Sequence, residues 1–252
     1  MPISKNKIKL ITSLSLKKFR DESGLFTAEG TKLVKDLYEA FDCSLFIVTE
    51  NWLLDNKPIG NEKLEVISNE EFKKISNQKN PQGILAVFKK REYRLDIDSL
   101  NSKLSLALDE VQDPGNLGTI IRIADWFGIT EVFCSENSAD VYNPKTVQAS
   151  MGALARVNVH YVNLEFFLKD LPAEIPIYGT FMDGNDIYKE TLTENGIIVM
   201  GNEGNGISPE IEKLVTSRLL IPNFPKGVAT SESLNVSVAS AIICAEFRRR
   251  NN

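Results

Sequence analysis

Three polar segments, each close to an apolar run, carry the residues whose types and spacing could do chemistry. In "DPGNLGTIIRIADWFGI", Asn116 stands at the opening of a helix and Arg122 follows six residues later. That spacing reads as placing both within reach of one pocket. Asn116 alone could equally be a helix N-cap. Arg122, flanked by Ile120, Ile121 and Ile123, belongs either to a structural ion pair or to a site. The second segment, "GNEGNGIS" from Gly201 to Ser208, follows the strand-like "NGIIVM". Glycines after a strand let the backbone turn sharply or approach a ligand closely, and phosphate is the first ligand to test. It fits poorly, because a phosphate-cradling loop ends in Lys-Ser or Lys-Thr, whereas this one carries Glu203 and no cation. A carboxylate repels an anion and tolerates or attracts a cation. A plain strand-to-helix turn accounts for the stretch equally well. In the third segment, "LLIPNFPKGVATSESLNVSVASAI", Ser233-Leu234-Asn235 lead an apolar helix. Capping explains one such polar residue better than two. The loop from Asn223 to Glu232 is long for a strand-to-helix connection, as functional loops are.

The elements that must position these segments alternate along the chain. "TKLVKDLYEAF" has helical spacing, "SLFIVTE", "LEVIS" and "GILAVFKK" read as strands, and "NEEFKKIS" as a short capped helix. These make a small N-terminal α/β domain. "REYRLDIDSLNSK" is polar without a sustained period, which places a linker within Arg91–Lys103. Beyond it the strands "LSLALDEV", "EVFCS", "VNVHYV", "IPIYGTF", "GIIVMG" and "RLLIP" alternate with the helices "GNLGTIIRIADWFG", "NPKTVQASMGAL", "LEFFLKDL", "PEIEKLV" and "LNVSVASAIICAEFRRR". Strands that are apolar throughout, separated by helices, imply a mostly parallel sheet covered on both faces. In such a sheet ligands sit beyond the carboxyl ends of the strands, where the three polar segments fall.

Composition is that of an ordinary globular protein, with 42% hydrophobic and 25% charged residues over 252 positions. No apolar run is long enough to cross a bilayer and the N-terminus lacks a compact apolar signal core, so a cytoplasmic protein is expected. Cys43, Cys134 and Cys244 are scattered through apolar surroundings, with His160 as the only histidine, so buried reduced thiols and no metal are expected. The net charge of −5 speaks against nucleic acid when taken globally. Locally, Lys5, Lys7, Lys9, Lys17, Lys18 and Arg20 precede the first acidic residue, and Lys89, Lys90, Arg91 and Arg94 cluster further on. Those segments permit an RNA partner, although charge runs are usually solvated faces.

Taken in order, Asn-x5-Arg, strand-GNEGxG and IP…ESLNVSVA before a terminal helix closely resemble the SpoU/TrmH family of RNA 2′-O-ribose methyltransferases. "NPKTVQASMGALARV" is also similar to that family, and "FTAEGTKLVKDL…NPQGILAVF" is similar to its small ribosomal-protein-like (L30e/L7Ae-like) RNA-binding domain. The resemblance implies an RNA-binding domain at residues 1–95 and a methyltransferase domain of the SPOUT class at 104–252, with a mostly parallel sheet and a deep C-terminal trefoil knot. It implies S-adenosylmethionine as cofactor, a homodimer through the C-terminal domain, and no metal. Cofactor contacts would fall on Gly201, Ile221 and Leu234, with Thr180 and Gly179 from "YGTF" as weaker choices. Arg122 would act as base or polarise the 2′-hydroxyl. Since a guanidinium has a pKa above about 12, stabilising the emerging oxyanion is the less costly version. Asn116 would orient the hydroxyl or Arg122, Glu203 would hold the loop or a facing arginine, and Ser233 and Asn235 would shape the pocket. The loop "NFPKGVATSE" departs from the family's usual shorter form. Ribosomal RNA is the expected substrate. A transfer-RNA methyltransferase, a non-catalytic RNA-binding protein on the same fold, and a nucleotide-phosphate enzyme are the competing readings.

Overall fold

The computed structural model describes residues 3–57, 59, 64–225 and 233–250. The chain divides into two compact units, Met1–Glu92 with Asp140–Arg156, and Tyr93–Ala139 with Val157–Asn252.

The first unit is built on a four-stranded sheet of β1 (Leu25–Glu29), β2 (Cys43–Thr49), β3 (Leu64–Ile67) and β4 (Ile84–Lys89) in the order β1-β4-β2-β3. β4 runs antiparallel to both neighbours and β2 parallel to β3. Helices α1 (Lys5–Ser13), α2 (Lys17–Ser23), α3 (Thr31–Tyr38), α4 (Glu50–Asp55) and α5 (Asn69–Ile75) accompany it. α3 forms because Leu33, Val34 and Leu37 recur at helical spacing and are all buried. α5 starts at a complete capping box, with Ser68 Oγ accepting from the Glu71 N–H and the Glu71 carboxylate accepting from the Ser68 N–H. Phe26 is fully buried, with ring centroids of Tyr142, Phe41 and Phe88 at 4.6, 5.3 and 5.7 Å. Tyr142 comes from the 140–156 segment, as does Asp140, which accepts two hydrogen bonds from the buried Arg20 guanidinium. The remaining Arg20 donor, Nη1, reaches the carbonyls of Leu14 and Ser15.

These contacts bear on the basic segments that permit an RNA partner. Arg20 is internal. Lys7 pairs with Glu65, Lys18 with Glu22, Lys89 with Asp42 and Lys90 with Asp21. Much of the local positive charge is neutralised within the unit itself.

The second unit is a six-stranded, wholly parallel sheet of β5 (Leu104–Leu108), β6 (Glu131–Ser135), β7 (Asn158–Val162), β8 (Ile177–Asp186), β9 (Gly196–Met200) and β10 (Ser217–Leu220), ordered β10-β8-β9-β5-β6-β7. The chain runs outward from β5 to β7 and resumes on the other side of β5. The strand order therefore reverses between β5 and β9, the place where open parallel sheets bind ligands. Both strands are buried at every residue, each large side chain contributing about 1.5–3 kcal/mol. Helices α6 (Pro114–Trp126), α8 (Leu164–Lys169), α9 (Pro209–Glu212) and α10 (Val236–Arg250) belong to this unit, while α7 (Pro144–Ser150) lies in the segment that packs with the first. The expected linker contains a short 3-10 turn at Asp98–Ser102.

α6 packs on α10; α6 buries Leu117, Ile120, Ile121 and Ala124, and α10 buries Val236, Ser240, Ile243, Cys244 and Phe247. Arg248 caps the end of α6 by donating to the carbonyls of Phe127 and Gly128, and Arg250 donates to those of Ile187 and Glu190. Burial pushes the thiols of Cys134 and Cys244 up to about 12. Cys43 is only half-buried, which corrects the expectation for that residue. His160 is a core residue, stacked on Phe133 and bonded to Glu131 at 2.8 Å. No described group of His, Cys, Asp and Glu could hold a metal ion, and no described helix is long and apolar enough to cross a membrane.

Candidate active site

The carboxyl ends of β5 and β9 are joined by Asn202. Its Nδ2 donates to the Glu110 carbonyl at 2.8 Å, while its Oδ1 accepts from the N–H groups of Gly204 and Asn205 at 2.9 and 3.0 Å. Main-chain bonds in both directions between Asn202 and Gly206 close the loop. Gly201 has to be glycine for this closure, since a Cβ there would lie 2.3 Å from the Gly206 carbonyl carbon. Glu110 sits in the left-handed region at φ 57, a strained conformation for a non-glycine residue. Its N–H donates to Ser135 Oγ, and its carboxylate accepts from Asn137 Nδ2. The buried Asp109 accepts from the Ser208 N–H at 2.7 Å and so anchors the far end of the loop.

The loop presents Glu203, which accepts from Asn116 Nδ2 at 2.8 Å. Asn116 Oδ1 in turn accepts from Asn235 Nδ2 at 3.0 Å. Asn235 Oδ1 receives the N–H groups of Ser237 and Val238 and the Ser237 hydroxyl, so Asn235 is the cap of α10. Backbone donors can be met only by the amide oxygen, which sends the Asn235 NH2 toward Asn116 and the Asn116 NH2 toward the carboxylate. The orientation of both amides is thereby fixed.

A pocket of about 650 Å³ adjoins this relay, within the range usual for small-molecule sites. Thr180, Gly201, Glu203, Ile221, Ser233 and Leu234 line it, together with Phe181, Met182 and the rest of the glycine loop. No lysine or arginine occurs among the described lining residues, and Glu203 is the one acidic residue there. Among the described lining residues a phosphate ligand meets no cation, whereas a cationic nucleoside does meet a carboxylate.

Several expectations are corrected. Asp113, not Asn116, caps α6, accepting from the Asn116 N–H at 2.9 Å. Ser233 and Leu234 precede α10 without beginning it, because the cap is Asn235. Glu203 faces Asn116, not an arginine. Gly179 does not line the pocket; it lies under the Phe181 ring, where a Cβ would come within 2.5 Å of Cε2. Arg122 is exposed, not embedded, and makes no hydrogen bond or ion pair among the described residues. Six residues at about 100° each leave Arg122 about 120° round the helix from Asn116, so a run of isoleucines in sequence does not enclose it. Lys226–Glu232, most of the longer loop, lie outside the described residues. Asn202, Asp109 and Glu110 escaped the sequence reading. For Asn202 the signal was an Asn two residues before a Gly, the pattern of an Asx turn.

The SpoU rRNA Methylase family matches residues 103–245, and the MRM3-like substrate binding domain matches residues 5–86. The 23S rRNA (guanosine(2553)-2′-O)-methyltransferase of Bacillus subtilis is 31% identical over 96% of both chains. A Porphyromonas gingivalis protein of the TrmH family superposes with a TM-score of 0.86 at 40% identity, covering 99% of this chain and 100% of that one. An rRNA methyltransferase from Sinorhizobium meliloti, solved with AdoMet bound, gives a TM-score of 0.83 at 28% identity over 99% and 97% of the two chains. With more than half its length matched, and with the parallel sheet and the pocket beside the glycine loop in place, the chain belongs to the SpoU rRNA methylase family.

Proposed function

We propose that the protein transfers a methyl group from S-adenosylmethionine to a ribose 2′-hydroxyl of ribosomal RNA. The observation that carries this reading is a pocket against β8, β9 and β10 whose described lining offers a carboxylate and no cation, joined through that carboxylate to an oriented pair of asparagine amides. The backbone of Gly201 and Ile221 and the side chains of Thr180 and Leu234 would hold the cofactor. When bound, it supplies a methyl group already activated on a sulfonium sulfur. The chain has then to bring the acceptor oxygen into line; as the O–CH3 bond forms, the S–CH3 bond would break to leave a neutral thioether, and the hydroxyl proton would pass to solvent. Such positioning is worth about 7–11 kcal/mol. Asn116, held from both sides, orients the acceptor; Arg122, open to solvent, stabilises the emerging oxyanion with its guanidinium. Ser233 shapes the rim.

Residues 1–95 would capture the RNA and residues 104–252 perform the transfer, in the cytoplasm, with the 23S rRNA of the Bacillus relative as the first substrate to try. A homodimer through the second unit is supported by Trp126 on α6 and Val238 on α10, 84% and 49% exposed on two helices that pack together. Sedimentation of an active monomer would overturn it. The central test is transfer from labelled S-adenosylmethionine to ribosomal RNA lacking the modification. Arg122→Ala should lower turnover about 10²–10³-fold with cofactor affinity kept. Loss of affinity with normal saturated turnover would overturn its role.

A further inference from the structure

The basic run at the start of the chain is only partly spent on the fold. Lys7 and Lys18 face Glu65 and Glu22, and Arg20 is internal. Lys5 and Lys9 are exposed, make no hydrogen bond or ion pair among the described residues, and share α1, which carries no acidic side chain. Four residues apart, they stand on one face, about 6 Å from each other along the axis. The turn from α1 into α2 carries large apolar side chains outward. Leu16 is 58% exposed, and Phe19, one turn further on, 39%. That turn is held from inside. Arg20 Nη1 donates to the Leu14 and Ser15 carbonyls at 2.8 and 2.9 Å, while Nε and Nη2 hold Asp140 at 3.0 and 2.6 Å. A guanidinium is costly to bury unless fully paired, and here the pairing fixes a turn whose outer face is apolar. Thr12, Ser13, Ser15 and Ser23 turn their hydroxyls back onto carbonyls of the preceding turn. On α2, Asp21 and Glu22 are each matched by a lysine, Lys90 and Lys18. Ammonium groups and apolar surface are therefore what this face offers a partner. A ring fixed before binding loses little freedom when a flat group lies against it. Unpaired RNA alternates flat bases, which stack on aromatic side chains, with phosphates, which meet lysines. An acidic protein supplies the charge without the flat faces.

We propose that the α1–α2 face of the first unit is a contact for the RNA substrate, with Leu16 and Phe19 receiving an unpaired base and Lys5 and Lys9 the phosphates beside it. The proposal rests on the ribosomal RNA reading above. Equilibrium binding of the full-length protein to an unmodified 23S rRNA transcript, over a range of salt, tests it. Wild-type protein that did not bind the transcript would end the substrate reading itself. Given wild-type binding, Phe19→Leu, which keeps apolar volume and removes the π face, should weaken the complex about tenfold. Phe19→Tyr should keep most of the affinity. Lys5→Gln combined with Lys9→Gln should flatten the slope of log affinity against log salt by about 1.4, two single-strand contacts at about 0.7 each. In steady-state assays the KM for RNA should rise in both variants, with kcat and the affinity for S-adenosylmethionine held, a pattern that loss of the fold would not give. Wild-type affinity in Phe19→Leu, or an unchanged salt slope in the lysine pair, overturns the proposal, and is the result an acidic protein partner would give. An equal loss in Lys73→Gln combined with Lys74→Gln, on α5, also overturns it, since the effect would then be one of net charge. Should Phe19→Leu fail to fold, the salt slope of the lysine pair decides.

Discussion

Ser68 and Asn235 both cap helices, one in each unit, and they dispose of their hydrogen-bonding capacity in opposite ways. Ser68 closes on itself, since its hydroxyl takes the Glu71 N–H and the Glu71 side chain returns to the Ser68 backbone. Asn235 meets its cap with one end of the amide and sends the other across 119 residues of sequence to Asn116. Arg20 resembles Ser68 in this respect, because its donors are spent on Asp140, Leu14 and Ser15 within one unit. The difference suggests a rule of thumb: polar groups whose partners form a closed set hold the fold, and those forming an open chain toward a pocket hold the site.

That rule can be broken in order of expected effect. Arg20→Met leaves the Asp140 carboxylate without its buried cation and should cost about 3–5 kcal/mol in urea unfolding. Any folded variant should bind the cofactor as wild type does. Asn116→Asp sets a carboxylate against Glu203 and should lower kcat on the order of 10–100-fold, equivalent to about 1–3 kcal/mol for a lost hydrogen bond to a charged group, with little change in melting temperature. A large loss of stability with kcat intact would invert the rule. Ser68→Ala should cost about 1 kcal/mol of stability and leave methyl transfer unchanged.

The smallest effect concerns a closed set in the second unit, where bonds from Arg249, partly opposed by desolvation, and then from Arg250 hold the Glu246 carboxyl at about 2 against an ordinary 4.5. A lowered folded-state pKa stabilises above pH 4.5, and the contribution is lost as the pH falls from 4.5 toward 2. Thermal melts over that window should fall for the wild type and fall less for Glu246→Gln, while activity near neutrality stays the same.

Much of the second unit was legible because its strands are continuous apolar runs, which periodicity and length identify without tertiary information. All six are present near the expected positions. The first unit was harder. α1 and α2 are short and rich in lysine, so their few apolar residues, Ile8, Leu10 and Ile11 in one and Phe19 in the other, make a weak signal. β1 hides in "LFTAE" next to a glycine. That residues 140–156 pack with the first unit depends on Asp140 and Tyr142 meeting partners more than 50 positions away, which no local pattern encodes.

At the site, sequence order brought out Asn116, Glu203 and Asn235 but not the bonds between them. The burial of Arg122, not its role, was misjudged, because neighbours in sequence point to different sides of a helix.

The amide relay also has a bearing on when the protein becomes competent. Glu203 lies 87 positions beyond Asn116, and Asn235 lies further still. A nascent chain that has emerged only as far as β10 can form most of the parallel sheet, yet it holds one end of the relay open. Competence thus arrives as a late, long-range event, after the slowest loop closures have been made. Partly folded chains would be silent toward RNA, and onset of methyl transfer during refolding would serve as a clock for the docking of the last helix.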